Sequence, residues 1–396
     1  MAEAMREAWI TGIGMTSCLG EGPEAHWQAL TTQEPRPDTT GFAPFIVHRI
    51  APVDFDKQIP KRGDQRQMEP WQRIGTYTAG LALESAGVKG NAEVLAGMDM
   101  IVAAGGGERD LAVDAAILSG LPKATAPEAY LNERLMNDLR PTLFLAQLSN
   151  LLAGNISIVH GVTGSSRTFM GEEAAGVDAV RISLSRVRSG QSEIILVGGA
   201  HNGERKDQLL IYEFAGLNLK DRFRPVWERE AHPGFALGSL GAFLVIESRS
   251  HAERRGAKPL ARLTSVVSDR CRRLPGTVAD SLRSLWASLA PGLSRDQAAV
   301  ISGATGAESA TGEERSFLAE QSGLAVRATG THLGHGFEPQ FVMNVALAAL
   351  AVSRGALFPP CGASAFEQPM AGPLRQVVVT GVGHWRGEGV ALVEAV

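Results

Sequence analysis

The sequence predicts a layered α/β fold assembled from two halves that repeat one order of strands and helices. Apolar runs typical of buried strands alternate with segments of helical periodicity along the 396 residues. DQAAVISGATG (296–306) resembles GMDMIVAAGGG (97–107), and QVVVTGVG (376–383) resembles EIILVGGA (193–200). Two copies of one strand and helix order predict an internal duplication.

A polar connection, HAERRGAKP, separates the two predicted halves. We therefore expect an N-terminal half over 1–255 and a C-terminal half over 256–396. Each half is expected to open with a strand, WITGIGMTSCLG in the first and LARLTSVVSDR in the second. Within the N-terminal half, helices are predicted over 76–86 and 144–158, and residues 203–233 are predicted to form a charged loop.

The stretch 171–202 predicts a tight turn, then a helix, then a buried strand. Val177, Val180 and Leu184 recur at the three- and four-residue steps of an amphipathic helix, and Gly190 is placed to end it. EIILVGG follows as a short apolar run, which is typical of a central strand.

Glu173 lies at the start of that predicted helix. The unpaired backbone N–H groups there favour negative charge, so the turn can present a carboxylate. Glu172 and Glu173 are also consistent with ordinary acidic residues of a first helical turn. The sequence alone leaves both interpretations open.

The composition is that of an ordinary globular protein, with 44% apolar and 20% charged residues. Lys and Arg total 38 against 42 Asp and Glu, a net charge of −4, so no basic field points to nucleic acid or a membrane surface. The most apolar helix, around 342–352, is interrupted by Asn344 and is too short to cross a bilayer.

Cysteine usage and glycine spacing predict no cofactor and no metal site. Cys18, Cys271 and Cys361 are odd in number and far apart, which indicates neither a disulfide framework nor a metal cluster and favours a reduced, cytoplasmic setting. Ser17 stands where a dinucleotide fingerprint needs its third glycine. The N-terminus carries acidic residues and lacks the apolar core of a signal peptide.

Six segments taken together, in order and spacing, resemble the β-ketoacyl-[acyl-carrier-protein] synthases. They are TGIGMTSCLG, RQMEPWQRIG, PTLFLAQLSNLLAGNISIVHGVTG, GQSEIILVGGAHN, RPVWEREAHPGFALGSLGAFLVIES and the helix that ends in LFPP. The resemblance covers nearly the whole chain. It implies the thiolase fold, a five-layered αβαβα arrangement of two duplicated halves, and a dimer whose interface includes a strand beside the nucleophile turn.

Active members of the family carry an acyl group on a cysteine thiolate and use two histidines to decarboxylate a malonyl thioester. A thiolate at a helix N-terminus has a lowered pKa and is a good nucleophile and leaving group. Neutral imidazoles can donate to the thioester oxygen as negative charge develops there.

The resemblance places the family cysteine on Glu173, with a family glycine on Gly176. The first histidine falls on Thr305, and a family lysine falls on Gly330. The second histidine is retained as His335.

His332 lies nearby in RATGTHLGH, so an alternative alignment places the second family histidine on His332 instead of His335. The C-terminal loop GVGHWRGEG departs from the family pattern, which is rich in Gly and Phe and ends near Thr-Asn.

These departures predict a member that does not condense acyl chains. An acyl-Glu would be a mixed anhydride open to water, so Glu173 is expected to hold the turn as a charged acceptor. The chain then resembles chain-length-factor-like subunits, which pair with an active ketosynthase as a heterodimer. The alternatives are a stand-alone enzyme, such as a malonyl-carrier decarboxylase or a divergent acyltransferase using Glu173 and His335, and a homodimeric acyl-binding protein.

A basic stretch precedes the RQMEP segment. Lys61, Arg62 and Arg66 occupy the region with which the family docks its acidic acyl carrier protein, although they are equally typical of a solvated face. Such exposed contacts mainly steer association. An acyl carrier protein and a second synthase chain, either a ketosynthase or a copy of this protein, are the partners that the resemblance implies.

Overall fold

A computed structural model describes residues 5–396, except for the side chain of Ala146. The strands in chain order are β1 Ala8–Ser17, β2 Gly20–Glu21, β3 Val47–His48, β4 Asp99–Ala103, β5 Ser166–Phe169, β6 Ile194–His201, β7 Leu237–Gly238, β8 Leu240–Ser248, β9 Ala261–Asp269, β10 Ala298–Ser302, β11 Ala325–Ala328, β12 Gln376–Val382 and β13 Glu388–Glu394. The helices are α1 Gly22–Thr32, α2 Arg62–Gln67, α3 Pro70–Ser85, α4 Ala92–Gly97, α5 Leu111–Gly120, α6 Pro127–Asp138, α7 Leu143–Ala146, α8 Leu151–His160, α9 Glu173–Arg188, α10 Lys206–Phe214, α11 Arg249–Arg254, α12 Thr277–Ala287, α13 Glu308–Glu320, α14 Gly330–Leu333 and α15 Gln340–Arg354.

The sheet topology contains the same unit twice. An 11-stranded sheet runs β11-β10-β12-β13-β9-β1-β8-β6-β4-β5, with β2 paired to β1. From β1 outwards, β8 and β6 join antiparallel, and β4 and β5 join parallel. From β9 outwards, β13 and β12 join antiparallel, and β10 and β11 join parallel. The predicted duplication is therefore present.

The two units meet where β1 pairs with β9, with Trp9 opposite Arg262. Strand β8 ends at Ser248 and β9 begins at Ala261. The domain division at residue 255, inside the connection between them, remains a prediction about independent halves.

The helices form three layers around these strands. Helices α9 and α15 contact strands of both units and form the middle layer. Helices α3 and α8 pack outside the first unit, and α12 and α13 pack outside the second. The layer order is the αβαβα arrangement that was predicted, with the largest apolar cluster around α9 and α15.

Close packing in the layers explains the glycines of the opening strand. A Cβ on Gly14 would lie 2.1 Å from the backbone oxygen of Thr78, and one on Gly12 would lie 2.5 Å from that of Ala82. Only glycine lets α3 lie this close to β1. Helix α15 is buried on nearly every side, as expected for a helix that has apolar residues on all of its faces.

Three local predictions were wrong. The helix predicted over 144–158 is two helices, α7 and α8, because the chain turns at 147–150, where Ser149 bonds to the Met170 sulfur. Turn-favouring Ser and Asn outweigh the apolar periodicity there. The loop predicted over 203–233 contains helix α10, and the helix predicted over 76–86 begins six residues earlier, at Pro70.

Between residues 5 and 396, no helix combines the length and apolar character needed to cross a membrane.

Candidate functional site

The N-terminus of α9 begins at a strained turn. Gly171 has φ +128°, and Glu172 follows with φ +57° and ψ −136°. A residue other than glycine in such a conformation costs about 1–3 kcal/mol. The turn directs Glu173, the first residue of α9, into the interior, where it is only 5% exposed. The predicted sharp bend is therefore present, and it presents Glu173.

Two histidines meet the Glu173 carboxylate on the same oxygen. His335 Nε2 lies 2.7 Å from Oε1, and His384 Nδ1 lies 2.8 Å from the same atom. The His384 backbone N–H is a third donor to Oε1, at 3.3 Å. The other oxygen, Oε2, is buried and has no partner among the described residues.

The loop before α15 fixes His335 through its backbone. The His335 N–H donates to the Ala236 carbonyl at 2.7 Å, and its own carbonyl accepts from the Gly238 N–H at 2.9 Å. Gly334, at φ +71°, passes so close to Gly238 that a side chain there would clash. The imidazole is thereby held against Glu173.

A tight turn between β12 and β13 carries His384. The Gly383 N–H donates to the Gly387 carbonyl at 2.8 Å and closes the turn. Arg273 donates to the Gly383 carbonyl and forms an ion pair with Glu388 on β13. A Cβ on Gly387 would lie 2.6 Å from the Ala174 Cβ, so the turn packs directly on the first residues of α9.

An aromatic shell encloses the two imidazoles. The Phe337 ring centroid lies 4.3 Å from that of His335, and Phe235 lies 5.2 Å from His335 and 5.5 Å from His384. Tyr212 from α10 packs edge-on against His384 at 5.7 Å. The polar cluster therefore lies in an apolar pocket, where electrostatic interactions are strong.

These contacts set the charges of the cluster. Burial opposes ionisation of Glu173, but the charge of His384 and the hydrogen bonds of both imidazoles outweigh it and hold the pKa of this carboxyl well below its usual range. Burial also opposes protonation of His384, yet the Glu173 charge raises the His384 pKa. Burial lowers the pKa of His335 despite its bond to Glu173. These directions favour an ionised Glu173 paired with a protonated His384, and a neutral His335 as a further donor.

A second buried acid lies behind the cluster. Burial raises the pKa of Glu338 to about 7, and burial lowers that of His201, whose Nδ1 is 3.8 Å from Glu338 Oε2, to about 3. Both groups are therefore largely neutral near pH 6. A Cβ on Gly176 would lie 2.3 Å from the Glu338 carbonyl oxygen, which explains why α9 has glycine at this position.

Comparisons with known proteins agree with this architecture. The sequence model described as "Beta-ketoacyl synthase, N-terminal domain" matches residues 5–252, more than half of the chain. The chain belongs to the β-ketoacyl synthase family. The 3-oxoacyl-[acyl-carrier-protein] synthase 2 of Vibrio cholerae is 24% identical over 270 residues, which cover 65% of this chain and 62% of that protein. The match thus spans under two thirds of this relative.

Solved structures match over almost the full chain. The ishigamide ketosynthase/chain length factor has a TM-score of 0.80 at 20% identity, with 99% of this chain and 100% of that chain covered. A type II polyketide acyl carrier protein in complex with its ketosynthase, AntDE:AntF, gives a TM-score of 0.75 at 16% identity and the same coverage. This member of the β-ketoacyl synthase family therefore has the thiolase fold, as predicted.

The site residues that the sequence predicts come together only in part. Glu173 and His335 are in contact, and His335 rather than His332 faces the carboxylate. Thr305 is buried, with its hydroxyl accepting from the Ala307 N–H at 3.0 Å and its carbonyl accepting from Arg229 at 3.2 Å. No hydrogen bond joins Thr305 to Glu173 or His335 in the described chain.

Gly330 begins α14 in a confined space. A Cβ there would lie 3.0 Å from the Ala304 carbonyl oxygen and 3.2 Å from a Val226 methyl group. A lysine at this position would require its neighbours to move. The three cysteines are free, and burial raises the pKa of Cys18 and of Cys361 to about 12, so neither thiol is ionised at neutral pH.

Lys61, Arg62 and Arg66 are exposed at the start of α2 and along it. Within the described chain, none of them forms an ion pair. Their charges are therefore available to a partner, and their role in docking remains a prediction.

His384 is the site residue that the sequence reasoning did not find. Its loop was noted only for departing from the family pattern, because neither periodicity nor spacing relates position 384 to position 173. A histidine in the glycine-rich turn GVGHWRG, directly after a buried strand, was the available signal.

Proposed function

We propose that this chain is a non-condensing β-ketoacyl synthase subunit of fatty acid or polyketide synthesis, acting as the dimer partner of an active ketosynthase. The observation that carries this proposal is the buried Glu173–His384 ion pair at the N-terminus of α9. In the family resemblance, that position holds the acyl-accepting cysteine.

The state of Glu173 is unsuited to carrying an acyl group. Three N–H donors already occupy Oε1, which leaves only the buried Oε2 free for nucleophilic attack. Attack would also consume the negative charge that balances His384 in an apolar pocket. The acyl product would be a mixed anhydride, which water attacks readily.

The surface near β5 supports a dimer. Strand β5 lies at one end of the sheet and is paired only with β4, so its outer edge presents free N–H and C=O groups. Exposed edges of this kind are usually covered by another chain or by a loop. In the family resemblance, the dimer interface includes a strand beside the nucleophile turn, and β5 ends just before Gly171.

Exposed apolar side chains are concentrated in the segments next to β5. Those between residues 111 and 170 are Leu111, Leu118, Leu131, Leu135, Met136, Phe144, Leu145, Leu148, Ile158 and Met170. Leu135, Met136 and Phe144 line one hollow of about 600 Å³. Exposed apolar side chains grouped around one hollow are of the kind that a protein partner covers. It supports pairing with a second synthase chain, and the absent thiolate favours an active ketosynthase as that chain.

An acyl carrier protein is the second proposed partner. The AntDE:AntF complex is named as a carrier protein bound to its ketosynthase. Lys61, Arg62 and Arg66 on α2 provide unpaired positive charge of the kind that attracts an acidic carrier. We propose that they steer such a carrier to the dimer.

The experiment compares this chain alone, the ketosynthase encoded nearest to it, and the two co-expressed chains. Malonyl-carrier decarboxylation and acyl condensation are measured for each, with wild type and Glu173→Gln. We expect condensation only when both chains are present, and we expect it to survive Glu173→Gln. Turnover by the isolated chain that Glu173→Gln abolishes would overturn the proposal in favour of a stand-alone decarboxylase.

A matched control is Glu253→Gln, which alters an exposed carboxylate on α11. It should leave both activities unchanged. A stable homodimer that does not exchange with the ketosynthase would instead favour the acyl-binding alternative.

A further inference from the structure

Glu173 and the two histidines in contact with it are side chains of the types that ligate metal ions. Glu173, His335 and His384 offer one carboxylate oxygen and two imidazole nitrogens within 4.8 Å of one another. Their side chains are 6%, 2% and 4% exposed. Two imidazoles and a carboxylate form the donor set of several zinc and non-haem iron sites.

Only one of the two Glu173 carboxylate oxygens has hydrogen-bond partners among the described residues. Three N–H groups converge on Oε1, while Oε2 has no partner although it is buried. Buried charged oxygens are almost always bonded, so an unpartnered one requires a physical reason. A cation held between the carboxylate and the imidazoles supplies that reason, because either oxygen can coordinate it.

The spacing of the ligand atoms is close to that of a metal site. Oε1 lies 2.7 Å from His335 Nε2 and 2.8 Å from His384 Nδ1. Around a tetrahedral ion with bonds of about 2.1 Å, ligand atoms are roughly 3.4 Å apart. Each ligand therefore has to retreat by only about half an ångström for an ion to replace the two bridging hydrogens.

The surroundings hold the ligands in place. His335 is fixed by backbone bonds to Ala236 and Gly238, and His384 by the closed turn from Gly383 to Gly387. Phe235 and Phe337 form an apolar shell around both imidazoles, and such shells exclude water from metal centres.

We propose that Glu173, His335 and His384 bind one divalent first-row transition-metal ion, with Zn²⁺ as the representative. Two nitrogen donors favour Zn²⁺ over Mg²⁺ and Ca²⁺, which take oxygen ligands. The ion replaces the hydrogens between the carboxylate and the imidazoles and clamps the turn of His384 onto α9. This inference goes beyond the non-condensing role and does not depend on it.

The test uses the purified full chain, without a histidine tag and without any partner. The chain is first treated with a chelator and dialysed. It is then titrated with Zn²⁺ in competition with a chromophoric chelator, and with Co²⁺ while visible absorption is recorded. We expect saturable binding of one equivalent and visible Co²⁺ bands of the intensity typical of four-coordinate sites.

Removal of a ligand should weaken binding sharply. Glu173→Gln and His384→Gln are each expected to lower Zn²⁺ affinity by at least about 100-fold, more than loss of an outer-shell partner does. The control is His201→Gln, which changes another buried histidine without removing a proposed ligand and should keep wild-type affinity. Full affinity in His384→Gln, or no saturable binding by wild type, would overturn the proposal.

One further variant distinguishes loss of a metal ligand from loss of the native fold. His335→Cys keeps a metal ligand but changes its element, so bound Co²⁺ should gain a sulfur-to-metal charge-transfer band in the near ultraviolet. That band in a variant whose circular dichroism is native would place residue 335 in the coordination sphere, whereas wild-type Co²⁺ spectra and Zn²⁺ affinity in a natively folded His335→Ala variant would exclude it. Because no synthase or carrier is present, these outcomes are separate from the test of the proposed function.

Discussion

His384 Nδ1 lies 2.8 Å from Glu173 Oε1, and this contact joins the turn after β12 to the N-terminus of α9 across 211 positions of the chain. It is a buried ion pair in an apolar shell. Removing one partner of such a pair is costly, because the other charge stays behind without its water.

Glu173→Ala should therefore destabilise the fold strongly. We expect a loss of about 3–5 kcal/mol in the free energy of unfolding, since His384 would be left protonated and unpaired or forced to deprotonate. Glu173→Gln keeps an acceptor and should lose less. Urea denaturation in the presence of a chelator measures both. The reference is Glu253→Ala, which breaks an exposed ion pair with Arg249 and should cost under about 1 kcal/mol. Equal losses in the two alanine variants would contradict a buried pair.

Glu173→Cys should restore a thiol without restoring condensation. The new thiol would lie at a helix N-terminus beside His335 and His384, which lower its pKa against the opposing effect of burial, so we expect iodoacetamide to alkylate it faster than the native thiols. If the family resemblance places the first histidine at Thr305 and the lysine at Gly330, both groups are still missing, and condensation should remain absent. Mass spectrometry locates the alkylated residue and a carrier-based assay follows condensation.

The native cysteines serve as the internal control for that experiment. Burial raises the pKa of Cys18 and Cys361 to about 12, so both should react slowly. Condensation by the isolated Glu173→Cys chain would show that the two other departures do not matter.

Gly176→Ala should destabilise the chain through overpacking. Its Cβ would lie 2.3 Å from the Glu338 carbonyl oxygen, so α9 or the loop before α15 would have to shift, at a cost of about 1–3 kcal/mol. Gly312→Ala is the matched control, because Gly312 is exposed within α13 and a Cβ there meets nothing within 4 Å. That change should stabilise by about 0.5–1 kcal/mol. Thermal unfolding distinguishes the opposite signs, and a neutral Gly176→Ala would refute the close approach.

Glu338 should make stability depend on pH. Its pKa is raised from 4.5 to about 7 in the folded chain, so the folded state binds the proton more tightly than the unfolded state. The contribution of Glu338 to the free energy of unfolding is fully present below pH 4.5 and is lost as the pH rises through 7. The shift corresponds to about 3 kcal/mol, as an order of magnitude.

Glu338→Gln removes this titration while keeping the shape of the side chain. Between pH 5 and pH 8, the unfolding free energy of wild type should therefore fall relative to that of Glu338→Gln. Urea denaturation at several pH values gives that difference. A difference that stays constant over this range would mean that Glu338 is ionised in the folded chain.

Charge reversal on α2 should slow capture of the carrier. The triple change of Lys61, Arg62 and Arg66 to Glu is expected to lower the association rate by about tenfold at low salt, with the effect shrinking as salt rises. Surface plasmon resonance with an acidic acyl carrier protein measures both rates. Lys258→Glu, an exposed lysine before β9, is the control and should change little. An unchanged rate in the triple variant would remove α2 from the docking surface.

Much of the fold followed from local rules. Apolar runs mark β4, β6, β10 and β12, and the same order of strands and helices surrounds them in both halves. This repetition predicted a duplicated α/β architecture, because strand burial and helix periodicity are properties of short segments. The helix from Glu173 and its end before Gly190 were predicted for the same reason. The broken helix at 147–150 was missed because side-chain bonds to distant residues decide it.

The sequence by itself determined that a carboxylate stands at the start of α9 and that a histidine follows Gly334. That His335 matches the second family histidine, and that Thr305 and Gly330 replace the first histidine and the lysine, is what the family resemblance implies. Only the tertiary structure decided what Glu173 does. Its partner His384 lies 211 positions away, and no periodicity couples two turns that meet only after β12 has joined the sheet. This contact in an apolar shell governs the charge of Glu173 and the neutral state of His335. It also brings together Glu173, His335 and His384, the three side chains that we propose as metal ligands.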